Sequence, residues 1–312
     1  MKAERDNAAA IEAVQRQHRL TGIALMCGAV ACFSALDSTA KYLNHEMATL
    51  QVVWARYTSA FLLTLLFHNP VSHPALLRTA RPVLQIVRSV LLLASTMLNF
   101  VALRYLQLDQ TTSIMFSTPF LVAALAGPLL GEWVGWRRWL AIMLGFCGVL
   151  VVTRPGVGGI HPAAALSFLG AICYAFYNIS TRLLARTDST ETTLFYSNLF
   201  GALVMLPIVP FVWTTPSLSG AVLMVALGAF GGFGHYLLIA GHRLAPASVL
   251  APYMYTQLVW MIALGFFIFG DLPNHWTLAG ASIVVASGLY LLYRERKVRG
   301  EGGPVAQTGP IE

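Results

Sequence analysis

The chain alternates between long apolar runs and short polar breaks. Ten runs approach or exceed the length that crosses a bilayer core as a helix, about 20 residues. They lie near 20–41, 50–67, 83–103, 111–131 and 137–153, then near 163–184, 194–213, 220–241, 247–269 and 276–293. None shows the sustained apolar/polar alternation of a barrel strand, and each is about twice a strand's length. Helices satisfy their own backbone groups in lipid, so the pattern predicts an all-α integral membrane protein of ten transmembrane helices.

The runs also repeat. The stretch from Cys32 to Leu43 aligns with Cys173 to Leu184 at an offset of 141, pairing Asp37 with Asn178 and Lys41 with Arg182. Arg104 to Glu132 aligns with Arg243 to Asp271 at an offset of 139. Two nearly constant offsets, far apart in the chain, imply duplication of one five-helix unit. Such a unit crosses the membrane an odd number of times, so its copies point in opposite directions around a central cavity, as in alternating-access carriers. The expected layout is a cytoplasmic tail 1–19, a first repeat 20–153, an extracytoplasmic linker 154–162, a second, inverted repeat 163–293 and a cytoplasmic tail 294–312. The first run has a counterpart at 163–184. It therefore reads as part of the fold and not as a cleaved signal peptide.

Composition agrees with a lipid solvent. Hydrophobic residues make up 57 % and charged residues 11 %, where soluble domains carry roughly 25 % charged residues. The net charge of +7 comes from basic residues placed on one side. Arg78, Arg81 and Arg88, Arg137 and Arg138, Arg182 and Arg186, Arg243 and the two tails hold 16 of the 20 Lys and Arg residues. Only Lys41, Arg104 and Arg154 fall on the other side, and Arg56 lies within a helix. This bias puts both termini in the cytoplasm of a bacterial inner-membrane, multi-pass protein. It also accounts for the basic balance without nucleic-acid binding. The four cysteines all sit inside apolar runs and read as buried thiols, not as metal ligands or a disulfide.

Ionisable groups inside a span are functional candidates. Asp37 is about 16 residues into the first helix, roughly 24 Å from its inner end. Lys41 stands one turn further on, and Arg56 lies in the second helix at similar depth. Asp37 pairing with Arg56 or Lys41 makes either an outer gate or a static tie between helices 1 and 2. Asn178, the counterpart of Asp37, carries no charge, so a proton site at Asp37 would break the symmetry. His235 follows Gly228, Gly231, Gly232 and Gly234, which serve either close helix packing or local unwinding. Its repeat partner is Thr96. A buried His needs a polar cavity or an acceptor. Tyr174, Tyr177, Tyr253 and Tyr255, with Asn178, Gln257, Thr96, Asn99, Ser117 and Thr118, are candidates to line a moderately polar pocket. That pocket lacks the paired basic residues that a phosphate ligand requires. Pro119 removes a backbone hydrogen bond and bends the fourth helix.

Several local features resemble the drug/metabolite transporter superfamily, in its EamA-type branch of ten-helix exporters. They are Trp54-Ala-Arg56-Tyr57, Ala102-Leu-Arg104-Tyr105, Pro119, and Gly131-Glu132 echoed by Gly270-Asp271. The resemblance covers about 20–293. It departs at Phe33-Ser34, where the family often has Trp-Gly, and at Leu258, the counterpart of Pro119. The nearest subgroup is the YddG-like exporters, which implies aromatic amino acids as substrate and export as the direction. No phosphate-binding loop for ATP is present. A lone intramembrane His argues against an enzyme, and the absence of charge rings argues against a channel. The expectation is a secondary carrier exporting small metabolites, amino acids first and other amphiphilic drugs or metabolites as the alternative, with no cofactor, no nucleic-acid partner and an oligomeric state left open.

Overall fold

The computed structural model describes residues 2–67, 74–106, 111, 114–153 and 162–270, with isolated positions between 275 and 290. Every regular element among them is helical. In chain order they are α1 (Lys2–Glu46), α2 (Thr49–Phe67), α3 (Pro82–Tyr105), α4 (Thr118–Leu130), α5 (Trp136–Thr153), α6 (Ala163–Leu184), α7 (Thr190–Met205), α8 (Leu218–Leu244) and a composite α9. α9 passes from α-helix (Ala247–Leu250) through 3-10 turns (Ala251–Thr256) and α-helix (Gln257–Leu264) to a π-turn (Gly265–Phe269). Five stretches are long and apolar enough to cross a membrane: Ala13–Glu46, Pro82–Tyr105, Ala163–Leu184, Leu218–Leu244 and Ala251–Phe269. The tenth expected helix, 276–293, lies largely outside the described residues, as do Arg154, Asp271 and the C-terminal tail.

α3 shows why these helices suit lipid. Gln85, Arg88, Ser89, Leu92, Ser95 and Thr96 are buried, while Val83, Ile86, Val87 and Val90 are exposed. The polar face turns inward and the apolar face outward, the reverse of a soluble helix. Glycines on α8 let it approach α1 and α2. A Cβ at Gly228 would stand 2.3 Å from that of Ser59, and one at Gly234 would stand 2.7 Å from the Phe33 ring. α8 stays α-helical throughout, so these glycines pack and do not unwind.

Four boundaries differ from the sequence expectation. α1 begins at Lys2, because residues 2–19 are rich in good helix formers and extend the helix past its apolar part. α7 begins at Thr190, where the Ser189 hydroxyl accepts from the Thr192 N–H, and ends at Met205, ahead of Pro207 and Pro210. Helical residues at Thr111, Ile114 and Met115 are separated from α4 by a turn at Phe116–Ser117, next to Pro119. α9 is broken at Ala251–Thr256, which corresponds at the 139 offset to the segment leading into that turn.

Equivalent elements make equivalent contacts. α1 packs chiefly on α8, and α6 on α3; α2 packs on α8 as α7 does on α3; α1 meets α9 as α6 meets α4. Gly131 and Gly270 end α4 and α9 with the same left-handed backbone, φ 70° in both. Each donates its N–H to the two corresponding carbonyls, those of Ala126 and Gly127 and those of Gly265 and Phe266.

Candidate functional site

α1, α2, α3, α6, α8 and α9 line a half-open cavity of about 80 Å³. Its walls include Phe33, Asp37, Arg56, Thr96, Asn99, Phe100, Tyr174, His235 and Gln257. Seven of the sequence candidates therefore meet here: Asp37, Arg56, Thr96, Asn99, Tyr174, His235 and Gln257. Residues from both repeats contribute.

Arg56 is the centre of the cavity's hydrogen bonding. It donates to the Thr96 hydroxyl and to His235 Nε2, both at 2.6 Å. Thr96 and His235 are repeat counterparts, so the guanidinium bonds matched positions of the two halves. Arginine has no acceptor, so His235 Nε2 must accept. The imidazole is then neutral, with its proton on Nδ1, which donates to the Tyr177 hydroxyl oxygen at 2.8 Å. Asp37 accepts from the Asn99 amide at 3.2 Å. Asp37 and Arg56 line one cavity, but the guanidinium bonds Thr96 and His235 and not Asp37. The expected direct pair of Asp37 with Arg56 or Lys41 is thus replaced by separate partners. Lys41 sits with its ammonium 5.3 Å from the centre of the Phe269 ring.

The remaining candidates lie outside the cavity wall. Tyr177 is one layer away, behind His235. Asn178 donates to the Tyr174 carbonyl of its own helix at 2.7 Å. Ser117 bonds the Ile114 carbonyl and Thr118 the Ala171 carbonyl. Tyr253 belongs to the main apolar core, and Tyr255 packs with Phe116, Ile142 and Leu258. Tyr255 serves there as a large apolar body. Cys147, expected to be buried, is exposed on α5.

Arg88 departs from the expectation that it belongs to an inner loop: it is fully buried on α3. Its Nε donates to Thr181 at 2.8 Å, its Nη2 to Tyr177 at 2.6 Å and its Nη1 to the Thr193 carbonyl at 3.3 Å and to Ser197. Gln85, one turn earlier, donates to Asp188 at 2.8 Å. The Asp188 carboxylate also accepts from Thr79 and from the Ala80 N–H. Burial alone would raise the Asp188 carboxyl, but the bonds from Thr79, Gln85 and Ala80 outweigh it and hold it below the usual carboxylate value. Nearby, Arg182 pairs with Glu132 at 2.8 Å and donates to the His242 carbonyl, and Glu132 caps the Ala247 N–H at 2.8 Å. These bonds tie the N-terminal end of α3 to α6 and α7 and α6 to the α8–α9 junction, and through Tyr177, which also bonds His235, they reach the back of the cavity wall. The signal for Arg88 was its helical spacing with Gln85, Ser89, Thr96 and Asn99 on one polar stripe.

The model of the EamA-like transporter family matches residues 20–154 and again 161–294. The chain is similar to the S-adenosylmethionine uptake transporter of Rickettsia felis, 30 % identical over 280 residues, 89 % of this chain and 94 % of the relative. It is also similar to the riboflavin transporter of Vibrio cholerae, 24 % identical over 290 residues, 90 % of this chain and 96 % of the relative. A protein of known crystal structure superposes with a TM-score of 0.72 at 18 % identity, covering 89 % of this chain and 98 % of the other, which shows a shared fold.

Proposed function

The chain belongs to the EamA-like transporter family, a multi-pass membrane family of small-metabolite carriers, and on that footing we propose that it is a secondary carrier working by alternating access. Its proposed form is ten helices in two inverted repeats, 20–153 and 163–293, in a bacterial inner membrane with both termini cytoplasmic. The doubled family match, the mirrored helix contacts and the identical caps at Gly131 and Gly270 support that layout.

The substrate proposed first is S-adenosylmethionine or a metabolite of its kind. One observation carries this reading. The cavity sets an acid, Asp37, and a base, Arg56, among the aromatic rings of Phe33, Phe100 and Tyr174. S-adenosylmethionine offers a zwitterionic head, a cationic sulfonium and a flat purine to match. Riboflavin has the flat ring and no charged head. Aromatic amino acids share the head and the ring, and the charged pair keeps them as the second reading. Direction follows the gradients, since a carrier of this design runs both ways.

Purified protein in proteoliposomes, given labelled S-adenosylmethionine, riboflavin and phenylalanine in turn, tests the proposal. Saturable S-adenosylmethionine uptake, accelerated by unlabelled S-adenosylmethionine on the opposite side, is the expected result. No uptake of any of the three, or a non-saturating conductance, overturns it.

A further inference from the structure

We propose that Asp37 and Arg56 together read an α-amino-acid head group, Arg56 taking the carboxylate and Asp37 the ammonium; this rests on the cavity being the substrate site. Both side chains line the cavity, from adjacent helices α1 and α2. Neither is consumed by the protein. A guanidinium has five N–H donors, and the structure gives Arg56 two acceptors, Thr96 and His235. Its Nε–H is buried without a partner. Asp37 accepts one bond, from Asn99, and keeps the rest of its acceptor capacity. The two do not form an ion pair among the described residues, where Arg182–Glu132 does.

Opposite charges held apart inside a membrane are costly to keep unless something bridges them. A zwitterion does so with both of its ends. The orientation follows from the anchors. Thr96 and His235 fix one edge of the guanidinium, leaving its remaining donors for a carboxylate, the planar geometry that arginine matches best. His235 is fixed in turn as an acceptor, because Tyr177 takes its other proton. A cavity of about 80 Å³ is smaller than such a ligand, so binding needs the surrounding helices to part; the rest of the ligand then lies against Phe33, Phe100, Leu103, Met115 and Tyr174, an apolar lining. Head-group recognition with a permissive tail defines the class: amino acids with a large side chain, S-adenosylmethionine included.

Competition against labelled substrate in proteoliposomes tests this. With S-adenosylmethionine as substrate, the competitors are S-adenosylmethionine itself, its decarboxylated analogue and 5′-methylthioadenosine. With phenylalanine, they are phenylalanine, phenethylamine and 3-phenylpropanoate. We expect the wild type to favour the intact head at least ten-fold over each truncated analogue. Arg56→Gln should bring the intact ligand down to the level of the decarboxylated one while leaving the latter within about two-fold. Asp37→Asn should do the same for the deaminated analogue. Arg56→Lys retains a cation and should keep part of the carboxylate preference, which guards against a folding defect. Equal competition by intact and truncated ligands in the wild type, or equal weakening of all ligands in the variants, overturns the inference. If neither substrate is transported by the wild type, the proposed function fails first, and thermal-shift binding of the phenylalanine series then decides the head-group reading alone.

Discussion

At one end of the bundle Arg88, Gln85, Asp188, Thr193, Tyr177 and Thr181 join in a buried network of hydrogen bonds. At the offsets of 139 and 141 their counterparts are Leu227, Met224, Met47, Val52, Leu36 and Ala40, and every one is buried and apolar. The backbone scaffold is shared, as the mirrored contacts show, while the chemistry of the two ends has diverged completely. A hydrogen bond nets about 1 kcal/mol because water competes for the same groups. Apolar burial gains about 25 cal/mol per Å² that water cannot replace. The polar end is therefore directional and can open into water at little net loss. At the other end these matched positions meet by apolar packing, with the paired bonds of Gln51 to Thr214 beside them.

Exchanging residues between the ends breaks this contrast. Leu227→Arg puts a desolvated cation among Met and Leu side chains with no acceptor. It should cost several kcal/mol and leave little folded protein, read as monodisperse yield in detergent. Arg88→Leu makes the reverse exchange and strands Tyr177, Ser197 and Thr181 without their donor. A loss of about 3 kcal/mol is expected, seen as a lower melting temperature, with increased maleimide labelling of cysteines placed at this end. An unchanged melting temperature would mean that the network contributes only shape.

Asp188→Asn keeps an acceptor but loses the charge, for about 1–2 kcal/mol. Because its folded pKa is depressed, the stability Asp188 supplies is complete above the ordinary value of 3.8 and fades as pH falls below it. Melting curves of wild type and variant should thus converge in acid, and a constant gap would refute the linkage. Lys41→Met, which removes one cation from the Phe269 ring, should change stability by only about 0.5 kcal/mol.

Much of the scaffold was legible because hydropathy and repetition are local. The runs at 163–184 and 247–269 coincide with α6 and α9, and the repeated glycines at 131 and 270 both fall where a helix ends. Arg88 was lost because a run of apolar neighbours hides one charge near its edge, and the loop assignment absorbed it. Ser117, Thr118, Asn178 and Tyr255 were plausible lining residues by type. Which way each faces depends on helix rotation, and no window of sequence contains that.

By itself, the sequence determined the solvent of this protein, its duplication and the rarity of charge within its spans. Those follow from composition and period, which need no partner. Only the tertiary structure decided that Arg56 bonds Thr96 and His235 instead of Asp37, and that matched positions are hydrogen-bonded at one end and apolar at the other. Each of these depends on side chains from helices far apart in the chain. Their meeting is set by how the two halves pack, and glycines such as Gly228 and Gly234 make that approach close enough for 2.6 Å bonds.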